Sequence, residues 1–97
     1  MRNADLPANT KTIRVVVRFL SALRDRARTP ECVLVLPGGS TLREVSEHLL
    51  EAYGVEVPSA QVMATLNGNG WAQAAQGLQT ELRDGDVVCL FAPVSGG

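Results

Sequence analysis

The sequence ends in Gly96-Gly97, and that pair offers something no internal side chain does: a terminal carboxylate with no side chain beside it. Without a Cβ, glycine reaches backbone angles closed to other residues, so Gly96 and Gly97 can lie flat in a narrow channel. Pro93 fixes one φ angle four residues upstream and withholds an N–H, so the exit is stiff while the end stays free. A free carboxylate resists nucleophiles, because attack adds charge to an anion; it becomes reactive only when that charge is masked and a leaving group supplied. A terminal Gly-Gly arises by chance in about half a per cent of chains, so it gains weight only from what precedes it.

The other residues able to do chemistry point to structure instead. Cys32 and Cys89 form no CxxC and each sits inside an apolar run, where cysteine behaves as a small hydrophobe. His48 is the only histidine, with no Cys, His or Asp at ligand spacing, so it reads as a helix-surface residue and no metal site is expected. Glu44, Glu47 and Glu51 follow the spacing of one solvated helix face. Gly38-Gly39 lacks the further glycine and the Lys-Ser/Thr of a phosphate-binding loop, which leaves a turn. No Ser-His-Asp arrangement stands out.

At 97 residues, 45% apolar and 20% charged, the chain is one domain with enough apolar content for a modest core. A net charge of −1 gives no basic field for nucleic acid or acidic lipid. Arg18, Arg24, Arg26 and Arg28 cluster locally and read as a solvated loop. The cysteine pattern suits a reducing compartment, residues 1–11 lack the apolar region of a signal peptide, and no apolar run approaches membrane-spanning length. A cytoplasmic protein is expected.

Positioning elements follow from periodicity. Residues 1–11 are polar and read as a flexible extension, 12–92 as the folded domain and 93–97 as an exposed tail. Ile13, Val15, Val17 and Phe19 alternate with Thr12, Arg14, Val16 and Arg18, a strand with one buried face. Residues 21–30 are polar and read as a connection. Cys32–Leu36 is a second strand, stopped by Pro37-Gly38-Gly39. Thr41 and Glu44 match a capping box, and Leu42, Val45, Leu49 and Tyr53 recur at helical spacing up to Gly54. Val62–Leu66 is a third strand closing at the turn Asn67-Gly68. Residues 69–80 are ambiguous; Trp71 reads as an anchor with a short edge strand nearby. Asp84-Gly85-Asp86 turns into a last strand, Val87–Phe91, which is apolar on both faces and suits the middle of a sheet. A crossing helix of this kind can set the third strand parallel to a neighbour. This is an α+β, ubiquitin-like β-grasp: a mixed sheet of four to five strands wrapped around one main helix. With Val88 and Leu90 facing inward, Phe91 faces outward; Leu20 likewise faces opposite to Phe19. Phe91 and Leu20 are the candidate partner contacts.

Four segments together resemble the MoaD/ThiS family of ubiquitin-like sulfur carriers: residues 15–24, residues 36–42, Leu66-Asn67-Gly68, and Asp84-Gly85-Asp86 through Phe91 to Pro93-Val94-Ser95-Gly96-Gly97. The terminal signature is most like the molybdopterin synthase small subunit. It departs in Ala92, where many such subunits have proline, and in residues 69–81, which do not align clearly with the usual fourth strand. The resemblance implies that Gly97 passes through an acyl-adenylate to a thiocarboxylate. An E1-like adenylating enzyme uses ATP for this, a sulfurtransferase or persulfide donor supplies the sulfur, and no cofactor is held permanently. Pro93, Val94, Ser95 and Gly96 are then the residues threaded into a partner's channel, and a hydrophobic patch near the tail serves for docking. The implied function is sulfur donation to molybdopterin beside a MoaE-like large subunit. The alternatives are another sulfur pathway (thiamine, cysteine or a natural product) or conjugation to proteins through Gly97.

Overall fold

The computed structural model describes residues 11–93. Five strands form one mixed sheet in the order β2-β1-β5-β3-β4. In β1 (Thr12–Phe19), Val15, Val17 and Phe19 are fully buried while Thr12, Arg14 and Arg18 are exposed, as the alternation predicts. β2 (Glu31–Pro37) pairs antiparallel with β1, setting Val15 opposite Leu34 and Val17 opposite Cys32.

The connection between them is a short helix, α1 (Ala22–Ala27), not the plain loop expected from its charge. Leu23 and Ala27 lie one turn apart and are buried, leaving Arg24 and Arg26 exposed. Two apolar residues suffice because the helix covers only a corner of the core. Arg28 ends it in the left-handed region at φ 64°, its N–H donating to the carbonyl of Arg24.

The main helix, α2 (Leu42–Tyr53), matches its predicted bounds. Glu44 Oε1 accepts from the Thr41 backbone N–H at 2.5 Å and from the Thr41 hydroxyl at 2.8 Å. These contacts, the backbone one first, hold the Glu44 carboxyl below the ordinary glutamate range. Leu42, Val45 and Leu49 are wholly buried against the sheet, and the Tyr53 ring meets Phe19 at 5.1 Å between centroids. Gly54, at φ 67°, closes the helix by donating to Leu50 at 3.0 Å.

β3 (Met63–Leu66) and the two-residue β4 (Asn69–Gly70) form a hairpin. Asn67 (φ 51°) and Gly68 (φ 91°) make its turn, both in the region this dipeptide favours. β3 pairs antiparallel with both neighbours, so the parallel placement that a crossing helix allows is not the one taken. The parallel pair is instead β1 with β5 (Val87–Phe91), because the last strand inserts between β1 and β3. The ambiguous stretch 69–80 holds β4 and two single-turn 3₁₀ segments, Trp71–Gln73 and Gly77–Gln79, with Trp71 buried as an anchor. Among the described residues no helix is long and apolar enough to cross a membrane.

Candidate functional site

The site is built on β5, at the centre of the sheet. Val88 and Leu90 are fully buried and face α2; Val87, Cys89 and Phe91 take the other face and are half-buried. Val17 lies opposite Val88 and Phe19 opposite Leu90 on one side, while Cys89 meets Thr65 and Phe91 meets Met63 on the other. A strand flanked on both edges cannot slip by one residue without turning its buried set to solvent.

The start of β5 is tied down by two interlocking turns. Asn67 donates its side-chain amide to Asp86 Oδ1 at 3.0 Å, and its Oδ1 accepts the Val87 N–H at 2.9 Å. Asp86 Oδ2 also accepts the Arg83 N–H at 2.8 Å. Asp84 Oδ1 accepts the Arg14 N–H at 2.8 Å, and the Gly85 N–H returns a bond to the Arg14 carbonyl at 2.8 Å. Gly85 stands at φ 90°, where an L side chain is strained. Sequence reading found both turns but not their partnership, since Asn67 and Asp86 are far apart in the chain.

At the other end the Leu20 N–H donates to the Leu90 carbonyl at 2.9 Å, after which the chain leaves through half-buried Ala92 and exposed Pro93. Both predicted contact residues stand here. Phe91 faces outward beside Met63, which is 48% exposed, and Leu20 is 36% exposed at the end of β1. Met63 was not singled out beforehand; its register against Phe91 is what places it in the patch. Across from Cys89 on the same face lies Arg18, whose Nε is 3.7 Å from Glu31 Oε1. Val94, Ser95, Gly96 and Gly97 lie outside the described residues.

The other candidates sit elsewhere. Burial raises the Cys32 thiol, only partly offset by its hydrogen bond with Tyr53, so it remains protonated and a poor nucleophile at neutral pH. The same bond, with burial, pushes the Tyr53 hydroxyl up. Both cysteines are free. His48 is exposed on α2, and among the described residues no three His, Cys, Asp or Glu side chains converge as a metal site. One cleft of about 520 Å³, lined by Lys11, Gly38 and Asp84 among others, opens at the end of the sheet opposite the chain exit. A second, of about 260 Å³ and lined by Val62, Met63, Ala64 and Trp71 among others, adjoins the exit patch at Met63. What the domain supplies is a fixed exit and an apolar surface beside it.

Comparison with known proteins agrees with this architecture. The sequence model described as the ThiS family matches residues 17–97. No curated protein sequence matches the chain. Among solved structures, small archaeal modifier protein 1 from Methanosarcina acetivorans is 26% identical, with a TM-score of 0.70 over 90% of this chain and 99% of its own. A complex of subunits 1 and 2 of the molybdopterin-converting factor from Helicobacter pylori contains a chain 27% identical, with a TM-score of 0.61 over 88% of this chain and 100% of that one. A protein of Haloferax volcanii, 24% identical, shares the fold at a TM-score of 0.73 over 100% of this chain and 98% of its own. With the β-grasp topology, the centrally held last strand and a family match over most of its length, the chain belongs to the ThiS family of ubiquitin-like sulfur carriers and modifiers.

Proposed function

We propose that this chain is a sulfur carrier working through the Gly97 carboxylate, and that it donates sulfur to molybdopterin as the small subunit of a molybdopterin synthase. The observation that carries this reading is the placement of β5: its locked start and central register bring the chain out at Pro93, beside Phe91, Met63 and Leu20. A partner that docks on that apolar patch receives the tail in a set direction.

In the proposed chemistry an E1-like enzyme directs a Gly97 carboxylate oxygen onto the α-phosphorus of ATP, and pyrophosphate leaves. The mixed anhydride masks the carboxylate charge. Sulfide then attacks the acyl carbon and expels AMP, leaving a thiocarboxylate. Where the donor is a sulfurtransferase persulfide, its terminal sulfur attacks instead, and a thiol cleaves the resulting acyl disulfide to the same product. One difficult substitution becomes two easier ones. The loaded tail, Pro93 through Gly97, next enters the large subunit, transfers sulfur to the pterin precursor, and returns as carboxylate. With ATP as co-substrate and both cysteines free, the proposed site of action is the cytoplasm. The partnered subunits of the Helicobacter pylori molybdopterin-converting factor support the pathway assignment.

The likeness to small archaeal modifier protein 1 supports a second reading, in which the activated Gly97 carbonyl is transferred to an amine on a target protein. The test is reconstitution. Thiocarboxylated chain, a molybdopterin synthase large subunit and the pterin precursor are mixed, and dithiolene formation is followed. Product formation with return of the carboxylate form is expected. Conjugates formed in a parallel mixture of the chain with ATP, the adenylating enzyme and a target protein, with no pterin product in the first, support the modifier; transfer by a chain carrying one residue appended after Gly97 contradicts the mechanism.

A further inference from the structure

β2 is an edge strand whose outer side is open. Its ladder to β1 is bracketed by bonds from Phe19 N–H to the Pro30 carbonyl and from Gly38 N–H to the Lys11 carbonyl. Antiparallel pairs alternate, so Cys32, Leu34 and Leu36 direct their backbone groups at β1, while Glu31, Val33 and Val35 direct theirs outward. Among the described residues only the Glu31 carbonyl of that outward set has a partner, the Thr29 hydroxyl at 2.9 Å. Val33 and Val35 are 51% and 61% exposed. No charge, proline or bulge interrupts Cys32–Leu36, so the usual protections of an edge are missing. The opposite edge is protected: β4 is two residues long and passes directly into a 3₁₀ turn.

We propose that this edge pairs with the same edge of a second copy, antiparallel about a two-fold axis at Val33, joining two five-stranded sheets into one. The register follows from which groups are free. Centring on Val33 sets Val33 against Val33 and Glu31 against Val35 of the other copy; all are outward residues, and three such pairs exchange about six hydrogen bonds. Centring one residue later sets Glu31 against Pro37, which has no N–H and whose carbonyl already accepts from Ser40. Charge fits the same choice. Arg14 stands opposite Val35 on β1 and has no ion pair among the described residues. In the dimer the second copy's Glu31 lies just beyond Val35, so each carboxylate falls between its own Arg18 and the other copy's Arg14. β1 separates β2 from β5, so the tail exit stays open in both copies.

A five-residue edge contact belongs to the small, weak class of interfaces, so the equilibrium is read at high protein concentration. Sedimentation of the full chain from about 20 µM to about 1 mM, a range suited to a weak interface, should show reversible dimerisation, with slowed amide exchange at Val33 and Val35 in the concentrated sample. Val33→Lys, at an exposed position, should weaken association at least about tenfold while leaving the thermal midpoint unchanged; Val33→Thr should keep it. A wild type monomeric throughout, a dimer that survives Val33→Lys, or unprotected Val33 and Val35 amides in a dimer would each overturn the proposal. So would a wild type that stays monomeric yet binds an extended apolar peptide on this edge.

Discussion

The two ends of β5 are built oppositely. At its start, Asn67, Asp84 and Asp86 gather backbone N–H groups from Arg14, Arg83 and Val87 into a dense set of bonds. At its finish, Ala92 and Pro93 lead outward past half-buried Phe91 and exposed Met63 and Leu20. Both ends carry short polar or glycine-containing sequences, and composition does not tell them apart. The difference is that polar side chains at the start find backbone partners in register, while the finish offers apolar surface. A carrier needs this division: the start fixes where the chain emerges, and the finish is left for another protein to grip.

That contrast is open to breakage. Asp86→Ala removes acceptors for both the Arg83 N–H and the Asn67 amide, and should cost about 1–2 kcal/mol in urea unfolding, the usual scale for losing such bonds near solvent. Sulfur loading per folded molecule should be unchanged; a loading defect beyond the unfolded fraction would mean that the start of β5 takes part in docking. Phe91→Ala should do the reverse, lowering affinity for the adenylating enzyme or the large subunit about tenfold, with a stability change below about 1 kcal/mol. Titration calorimetry beside thermal melts reads both; an unchanged affinity would assign Phe91 to covering its own sheet.

The smallest expected effect lies away from both ends, on the helix beneath them. Glu44 has a folded-state pKa depressed by the Thr41 N–H and hydroxyl. A depressed carboxyl contributes stability that is fully present above its unfolded pKa, about 4.3, and is lost as pH falls through the folded value. Glu44→Gln should therefore be less stable than wild type at pH 7, and the gap should close toward pH ~3. A gap independent of pH would place the contribution in packing, not charge.

Elements whose apolar residues keep a single period or form one unbroken run were legible in the sequence. β1 and α2 appear where periods of two and 3.6 put them, β5 where an unbroken apolar run after a turn put it, and the outward turn of Phe91 follows from the inward burial of Val88 and Leu90. α1 was not, because only Leu23 and Ala27 reach the core and four nearby arginines mask them; Arg26 is in fact held, donating to the Gly54 carbonyl at 3.0 Å. The pairing of β3 was not legible either, because neighbour choice depends on where β5 inserts, which no local pattern encodes. The Asn67–Asp86 lock escaped for a like reason: each turn is visible alone, but their contact exists only after the sheet has formed.

The most direct test of the account is the intact mass of the full chain after incubation with ATP, an E1-like adenylating enzyme and a sulfide source. The prediction is a gain equal to the exchange of one oxygen for one sulfur, confined by fragmentation to Gly97 and absent without ATP. An unchanged mass, with the adenylating enzyme shown active on a known carrier in the same mixture, would contradict it.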